Sequence, residues 1–197
     1  MRLSALALAA LLCAFASGPA AAWELDAAGL TAVEQGRPWV LVRPEPDGDE
    51  GLVRGAIDIA APPAVVWRTI SDCDLAPRMV ATLKSCRILE RDPAGRWDIR
   101  EHISRPTFFL PPVRSVFRSD YEGERLIRFH RTAGDLERLE GEWRLVELPN
   151  GAGTRVLYEN RATAPFRLPG ALVRMALRRD VPDALLALRR ESLARRP

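Results

Sequence analysis

Glu101, Ser115, Arg131, Tyr158 and Asn160 are the polar side chains of this sequence best placed to do chemistry. By strand alternation, each falls on the same side as the apolar residues of its predicted strand. A charged group turned towards an apolar interior must be paired or wetted, because stranding it is costly. Facing inwards, Glu101 and Arg131 would form a polar spot that orients a lipid head group or a hydroxyl. The other reading puts one or both at a strand end, a rim or a bulge, in water. Asp74 and His102 form a conceivable acid/base pair, yet His102 shares the parity of Asp98 and Arg100 and is expected on the wet face. His130 follows Arg128 in the same way. The sequence holds no G-x-S-x-G, H-E-x-x-H, P-loop or G-x-G-x-x-G pattern. No catalytic residue, cofactor or metal site is therefore assigned. The two histidines lie far in sequence from Cys73 and Cys86, which leaves those cysteines as a disulfide pair or as two separately buried thiols.

These side chains must be positioned by a strand-rich domain. Leu52 to Asp74 reads as a β-branched strand (Val53, Ile57, Ile59) that runs through Ala-Pro-Pro into an amphipathic helix with Val65, Val66, Trp67 and Ile70. A short second helix is expected over Leu75 to Leu83 and a strand over Cys86 to Arg91. Alternation then places Trp97, Ile99, Glu101 and Ile103 on one face, with Asp98, Arg100 and His102 on the other. Val113, Ser115, Phe117 and Tyr121 share a face of the next strand, and Ile127, Phe129 and Arg131 of the one after. Leu139, Gly141, Trp143 and Leu145 alternate against Glu140, Glu142 and Arg144, and an Asn150-Gly151 turn leads into Thr154, Val156, Tyr158, Asn160 and Ala162. Such alternation belongs to an antiparallel sheet with one wet face. A last helix is expected from Gly170 towards Arg195, with Leu172, Val173, Ala176, Leu177, Val181, Leu185, Leu188 and Leu193 as its apolar stripe and a kink or restart at Pro182. This order is that of an α+β helix-grip domain, a curved antiparallel sheet wrapped around a long C-terminal helix with a cavity between.

The chain of 197 residues suits one domain with appendages. Residues 1–22 have the n-region, apolar stretch and Ala20-Ala21-Ala22 cleavage signal of a secretory signal peptide. Residues 23–51 read as an extension with a strand at Trp39 to Val42, and 52–195 as the domain itself. Export to a periplasmic or extracellular space favours the Cys73–Cys86 disulfide. The net charge of +3 comes from interspersed arginines and acids, which argues against a nucleic-acid partner. The C-terminal arginines (Arg174, Arg178, Arg179, Arg189, Arg190, Arg195, Arg196) form a solvated helix face or a weak attraction to anionic lipid. Phe108, Phe109 and Leu110 beside Pro111-Pro112 are expected at the cavity mouth, touching a membrane transiently, or packed on Trp23 or Trp39.

Four segments carry a family likeness: VRGAIDIAAPPAVVWRTISD, the Phe108–Pro112 run, EGEWRLVELPNGAGTRVLYE around Gly141-x-Trp143, and LPGALVRMALRRDVPDALLALRR. In this order they resemble the START-like superfamily, in its polyketide cyclase and coenzyme Q-binding branch. The resemblance implies a cavity for lipids, quinones, sterols or polyketides, and in a few members catalysis. The expected function is an exported carrier of a hydrophobic small molecule. A cyclase or dehydratase acting on an aromatic substrate in the same cavity is the alternative, and a module with a collapsed cavity a third. The ligand contacts expected are Glu101, Ser115, Phe117, Phe129, Arg131, Trp143, Tyr158, Asn160, Leu172 and Ala176.

Overall fold

The computed structural model describes residues 23–44, 51–107, 109–165 and 169–195. The first 22 residues, with the signal-peptide reading that falls on them, and Phe108 lie outside the described residues. The elements are α1 (Ala27–Glu34), β1 (Trp39–Pro44), β2 (Gly51–Ile59), α2 (Pro63–Ser71), α3 (Ala76–Met79), β3 (Leu83–Arg91), β4 (Trp97–Ser104), β5 (Val113–Glu122), β6 (Leu126–Gly134), β7 (Arg138–Glu147), β8 (Thr154–Thr163) and α4 (Gly170–Ala194). The strands make one antiparallel sheet in the order β1-β2-β8-β7-β6-β5-β4-β3. Helices α2 and α3 fill the connection from β2 to β3. The α+β helix-grip arrangement is thus present, with α4 as the long final helix.

Local chemistry starts each helix. The Asp26 carboxylate caps α1 by accepting from the Gly29 N–H at 2.7 Å. Pro63 opens α2 where its missing N–H is of no consequence. Ile57 and Ile59 of β2, Val156 of β8 and Leu145 of β7 then bury themselves against Val65 and Val66 of α2 and Leu185 and Leu188 of α4. A second, smaller cluster covers the opposite face of the same strands, where Val33 of α1 meets Ala56 and Leu157 beneath Trp23, Leu25 and Trp39. Strand β2 is therefore apolar on both faces, which accounts for its near-continuous burial. The segment read as an extension is built into the sheet, since β1 pairs with β2 from Trp39 to Pro44.

For α4 the restart alternative at Pro182 falls away, and one expectation is corrected. The helix passes through Pro182 as one element and does not restart there. Leu172 and Ala176 are exposed, not turned to the sheet. Leu177, one residue further along, reaches Gly51, the first residue of β2. The stripe that packs runs through Val181, Leu185, Leu188 and Ser192. Helix α3 is also shorter than the Leu75 to Leu83 segment expected. Cys73 and Cys86 form a disulfide with a Cα–Cα distance of 5.3 Å, tying the α2–α3 connection to the edge strand β3.

Candidate functional site

Strands β4 and β5 supply the polar wall of a cavity between sheet and helices. Asp98, Arg100 and His102 lie opposite Ser119, Phe117 and Ser115 respectively, and all of them face inwards. This inverts the expected phase of β4. Hydrophobicity assigned the inward face to Trp97, Ile99, Glu101 and Ile103, yet Asp98 and Arg100 are almost fully buried. The inversion is tolerated because the inward charges neutralise each other. Arg100 Nε donates to Asp98 Oδ1 at 2.9 Å, Arg100 Nη2 to the Tyr121 hydroxyl at 2.7 Å, and the Tyr121 O–H to Asp98 Oδ2 at 2.6 Å. Arg100 Nη2 also reaches the Ser71 carbonyl at 3.3 Å. A buried pair held this way has its charges compensated at close range.

The outward residues of β4 are held by partners of their own. Glu101 accepts from Arg87 at 2.9 Å and Arg114 at 2.6 Å, and the Trp97 ring carries the Arg118 guanidinium 4.3 Å from its centroid. Glu101 is therefore turned away from the cavity. Arg131 stands opposite Phe117 and so shares the inner face, but it is exposed at the strand end and donates to the Gly134 carbonyl at 2.9 Å. Glu101 and Arg131 do not meet, and no polar spot forms between them.

The cavity has a volume of about 120 Å³ and is lined by Ile70, Met79, Phe117, Phe129, Trp143 and Leu188, with Ser71, Arg100, His102 and Tyr121 at its polar end. Gly141 lets this wall form. A side chain there would collide with the Glu159 carbonyl and with the ring of Phe129, which lies directly across on β6. Phe117, Phe129 and Trp143 thus line the cavity as expected from their alternation. Tyr158 backs that wall, its ring 4.2 Å from Trp143 and 6.5 Å from Phe129 between centroids. Burial raises its phenol pKa against the hydrogen bond from Asn160. Ser115 is buried across from His102, and Asn160 keeps a buried Oδ1 without a hydrogen-bond partner. At the expected mouth, Phe109 is 73% exposed on the β4–β5 connection and Leu110 is half-buried. An open groove of about 700 Å³ lies on the other side of the polar cluster, with Ser71 and Tyr121 lining both spaces and the disulfide in the groove wall.

Sequence reasoning missed Ser71, Asp98 and Arg100, and it turned His102 to the wet face. The available signal was Asp98-x-Arg100, two opposite charges that neutralise each other along one strand face. Burial is the main cause that lowers the His102 pKa to about 4, with the Arg100 charge adding to it. His102 is thus neutral at physiological pH, packs edge-on against Phe117 at 4.8 Å and has a buried Nε2 with no hydrogen-bond partner. Burial also raises the Tyr121 pKa, while it opposes the charge of Arg100. The hydrogen bond from Arg100 to Asp98 and the nearby Tyr121 more than offset that, so the guanidinium pKa lies above its ordinary value. The arrangement offers neutral hydrogen-bonding groups beside an aromatic wall. Its carboxylate is held by Arg100 and Tyr121. Among the described residues no cluster of metal-ligating side chains occurs, and no helix is long and apolar enough to cross a membrane.

The model of the polyketide cyclase/dehydrase and lipid transport family matches residues 59–189. The chain belongs to this family. Among solved structures, the chain is similar to TTHA0849 from Thermus thermophilus, at 26% identity and a TM-score of 0.61, over 73% of this chain and 97% of that one. It superposes on a STAR-related lipid transfer protein from Xanthomonas axonopodis with a TM-score of 0.67 at 17% identity, covering 79% and 93% of the two chains. It also superposes on the Zhui aromatase/cyclase from a Streptomyces species with a TM-score of 0.57 at 16% identity, covering 74% and 92%. The last two show the fold. No curated protein matches the sequence.

Proposed function

We propose that this family member is an exported carrier that binds a hydrophobic small molecule, such as a lipid, sterol, quinone or polyketide-like compound, in the cavity between sheet and α4. The observation that carries the reading is the aromatic wall of Phe117, Phe129 and Trp143 closed by a polar cluster whose charges are already matched. A pocket of this kind, mostly apolar with a few placed polar groups, suits binding. Export rests on the signal-peptide pattern of the first 22 residues and agrees with the Cys73–Cys86 disulfide. Transient contact with a membrane surface is supported by exposed Phe109, Leu172 and Met175, the last two on the arginine-rich first half of α4. The lipid-transfer name of the Xanthomonas neighbour points the same way.

The second reading is a cyclase or dehydratase, favoured by neutral His102, whose Nε2 is free to take a proton from a bound substrate, and by the aromatase/cyclase neighbour. The test is titration with environment-sensitive fluorescent acylglycerol, sterol and quinone probes. The parent is expected to bind at micromolar levels. Ala184→Trp, at a cavity-lining position of α4, is expected to abolish binding while the fold survives at an overpacking cost of about 1–3 kcal/mol. A parent that binds none of these probes removes the carrier reading. Turnover of an aromatic polyketide mimic that is lost in His102→Phe establishes the enzyme instead.

A further inference from the structure

Resting on the cavity as a hydrophobic binding site, we propose that it selects an uncharged ligand bearing a hydroxyl or keto oxygen, held by Ser71 and His102, and that it rejects carboxylates.

Three observations converge on this. The first is space. About 120 Å³ is ring-sized, because an apolar cavity of roughly 150 Å³ takes up benzene. Aromatic walls stand on the sheet side, so a planar group finds matching faces there.

The second is the unused hydrogen-bonding capacity. Ser71 and His102 both belong to the cavity lining, and Ser71 Oγ and His102 Nε2 are buried with no hydrogen-bond partner. Buried polar atoms of native proteins are nearly always satisfied, so two orphans on one cavity mark where a ligand atom belongs. One hydroxyl can serve both, since it donates and accepts. A keto oxygen can accept from Ser71.

The third is charge. Arg100 is the cationic side chain of the lining, and its Nε and Nη2 are engaged by Asp98, Tyr121 and the Ser71 carbonyl. Asp98 cancels its charge at contact distance. His102 adds none at neutral pH. A carboxylate entering this space would lose its water without gaining a cation, which is strongly unfavourable.

Isothermal titration at neutral pH with benzene, phenol and benzoate tests the proposal. The parent is expected to bind phenol about tenfold tighter than benzene, the scale of a neutral hydrogen bond in a site that would otherwise leave its groups unpaired. It is expected to bind benzoate at least roughly a hundredfold more weakly than phenol. Ser71→Ala combined with His102→Leu should remove the preference for phenol over benzene. Asp98→Asn, which releases the Arg100 charge, should strengthen benzoate by roughly tenfold or more. Should Asp98→Asn fail to fold, the double variant and the three parent titrations still decide the question. Benzoate binding as tight as phenol overturns the charge selectivity, and phenol no tighter than benzene overturns the roles of Ser71 and His102. Either result leaves the carrier reading standing. If benzene, phenol and benzoate all fail to bind, both readings fall together.

Discussion

Inward positions on β2 and β8 are filled by Ile57, Ile59 and Val156, whereas those on β4 and β5 hold Asp98, Arg100, His102, Ser119 and Tyr121. The first set closes on α2 and α4 as a dry core, and its outer face is covered in turn by α1. Arg100, His102, Ser119 and Tyr121 of the second set line the cavity and Asp98 lines the groove beyond it, while the outer face is held by ion pairs such as Glu101 with Arg87 and Arg114. The difference lies in what stands opposite each half. Leu185 and Leu188 give β2 and β8 an apolar partner of matching shape, so van der Waals contact decides the packing. The β4–β5 half meets the end of α2 and the short α3, which leave space. Inward polar groups are tolerated there because Asp98, Arg100 and Tyr121 satisfy one another.

Breaking the polar half should cost most. Asp98→Ala leaves Arg100 buried without its counter-ion and should destabilise by about 3–5 kcal/mol in urea unfolding, while Asp98→Leu with Arg100→Met should recover most of that. If the double replacement is as unstable as the single one, mutual neutralisation is not what permits the inward charges. The matching change in the aliphatic half, Leu185→Ala, should cost about 2–5 kcal/mol through a cavity, and it should leave the selectivity among ligands unchanged.

Removing the disulfide with Cys73→Ser and Cys86→Ser should cost roughly 3 kcal/mol in the chain-entropy model. Because the bridge ties the α2–α3 connection to β3, hydrogen exchange should rise first in α3 and β3, with β2 and β8 still protected.

Acid separates the halves further. His102 has a folded pKa near 4, below its unfolded value, so its neutral form contributes stability that is complete above about pH 6.5. That contribution is lost as pH falls from there to about 4 and amounts to roughly 3 kcal/mol at most. Urea midpoints measured across this range should fall more steeply for the parent than for His102→Phe. The smallest effect is expected from Glu101→Gln. Its partners are exposed arginines on the outer face, so urea midpoint and ligand affinity should both stay close to those of the parent.

Alternation made β5, β6, β7 and β8 legible, because on those strands the apolar side is also the inner side. Phe117, Phe129, Trp143 and Tyr158 could be placed from parity alone. On β4 the period was readable and the phase was not. A strand with charges on one side and isoleucines on the other is assigned by hydrophobicity, and a shift of one residue exchanges the two faces entirely. The decisive interaction, a hydroxyl from β5 joining Asp98 to Arg100, lies between residues more than twenty positions apart and exists only once the strands pair. The course of α4 had the same limit. Its length and apolar residues follow from helical periodicity, yet Leu172 and Ala176 are exposed while Leu177 reaches Gly51 and Leu185 and Leu188 are buried.

The sequence by itself determined the element order, the α+β class and the cysteine pair able to bridge, because these depend on local periodicity, turn chemistry and spacing. Tertiary structure alone decided which side of β4 faces the cavity, that Glu101 and Arg131 stay apart, and that Ser71 and His102 meet one space unpartnered. Those outcomes depend on electrostatic pairing and helix placement across distant strands, where the energy of a neighbour outweighs the preference of a residue.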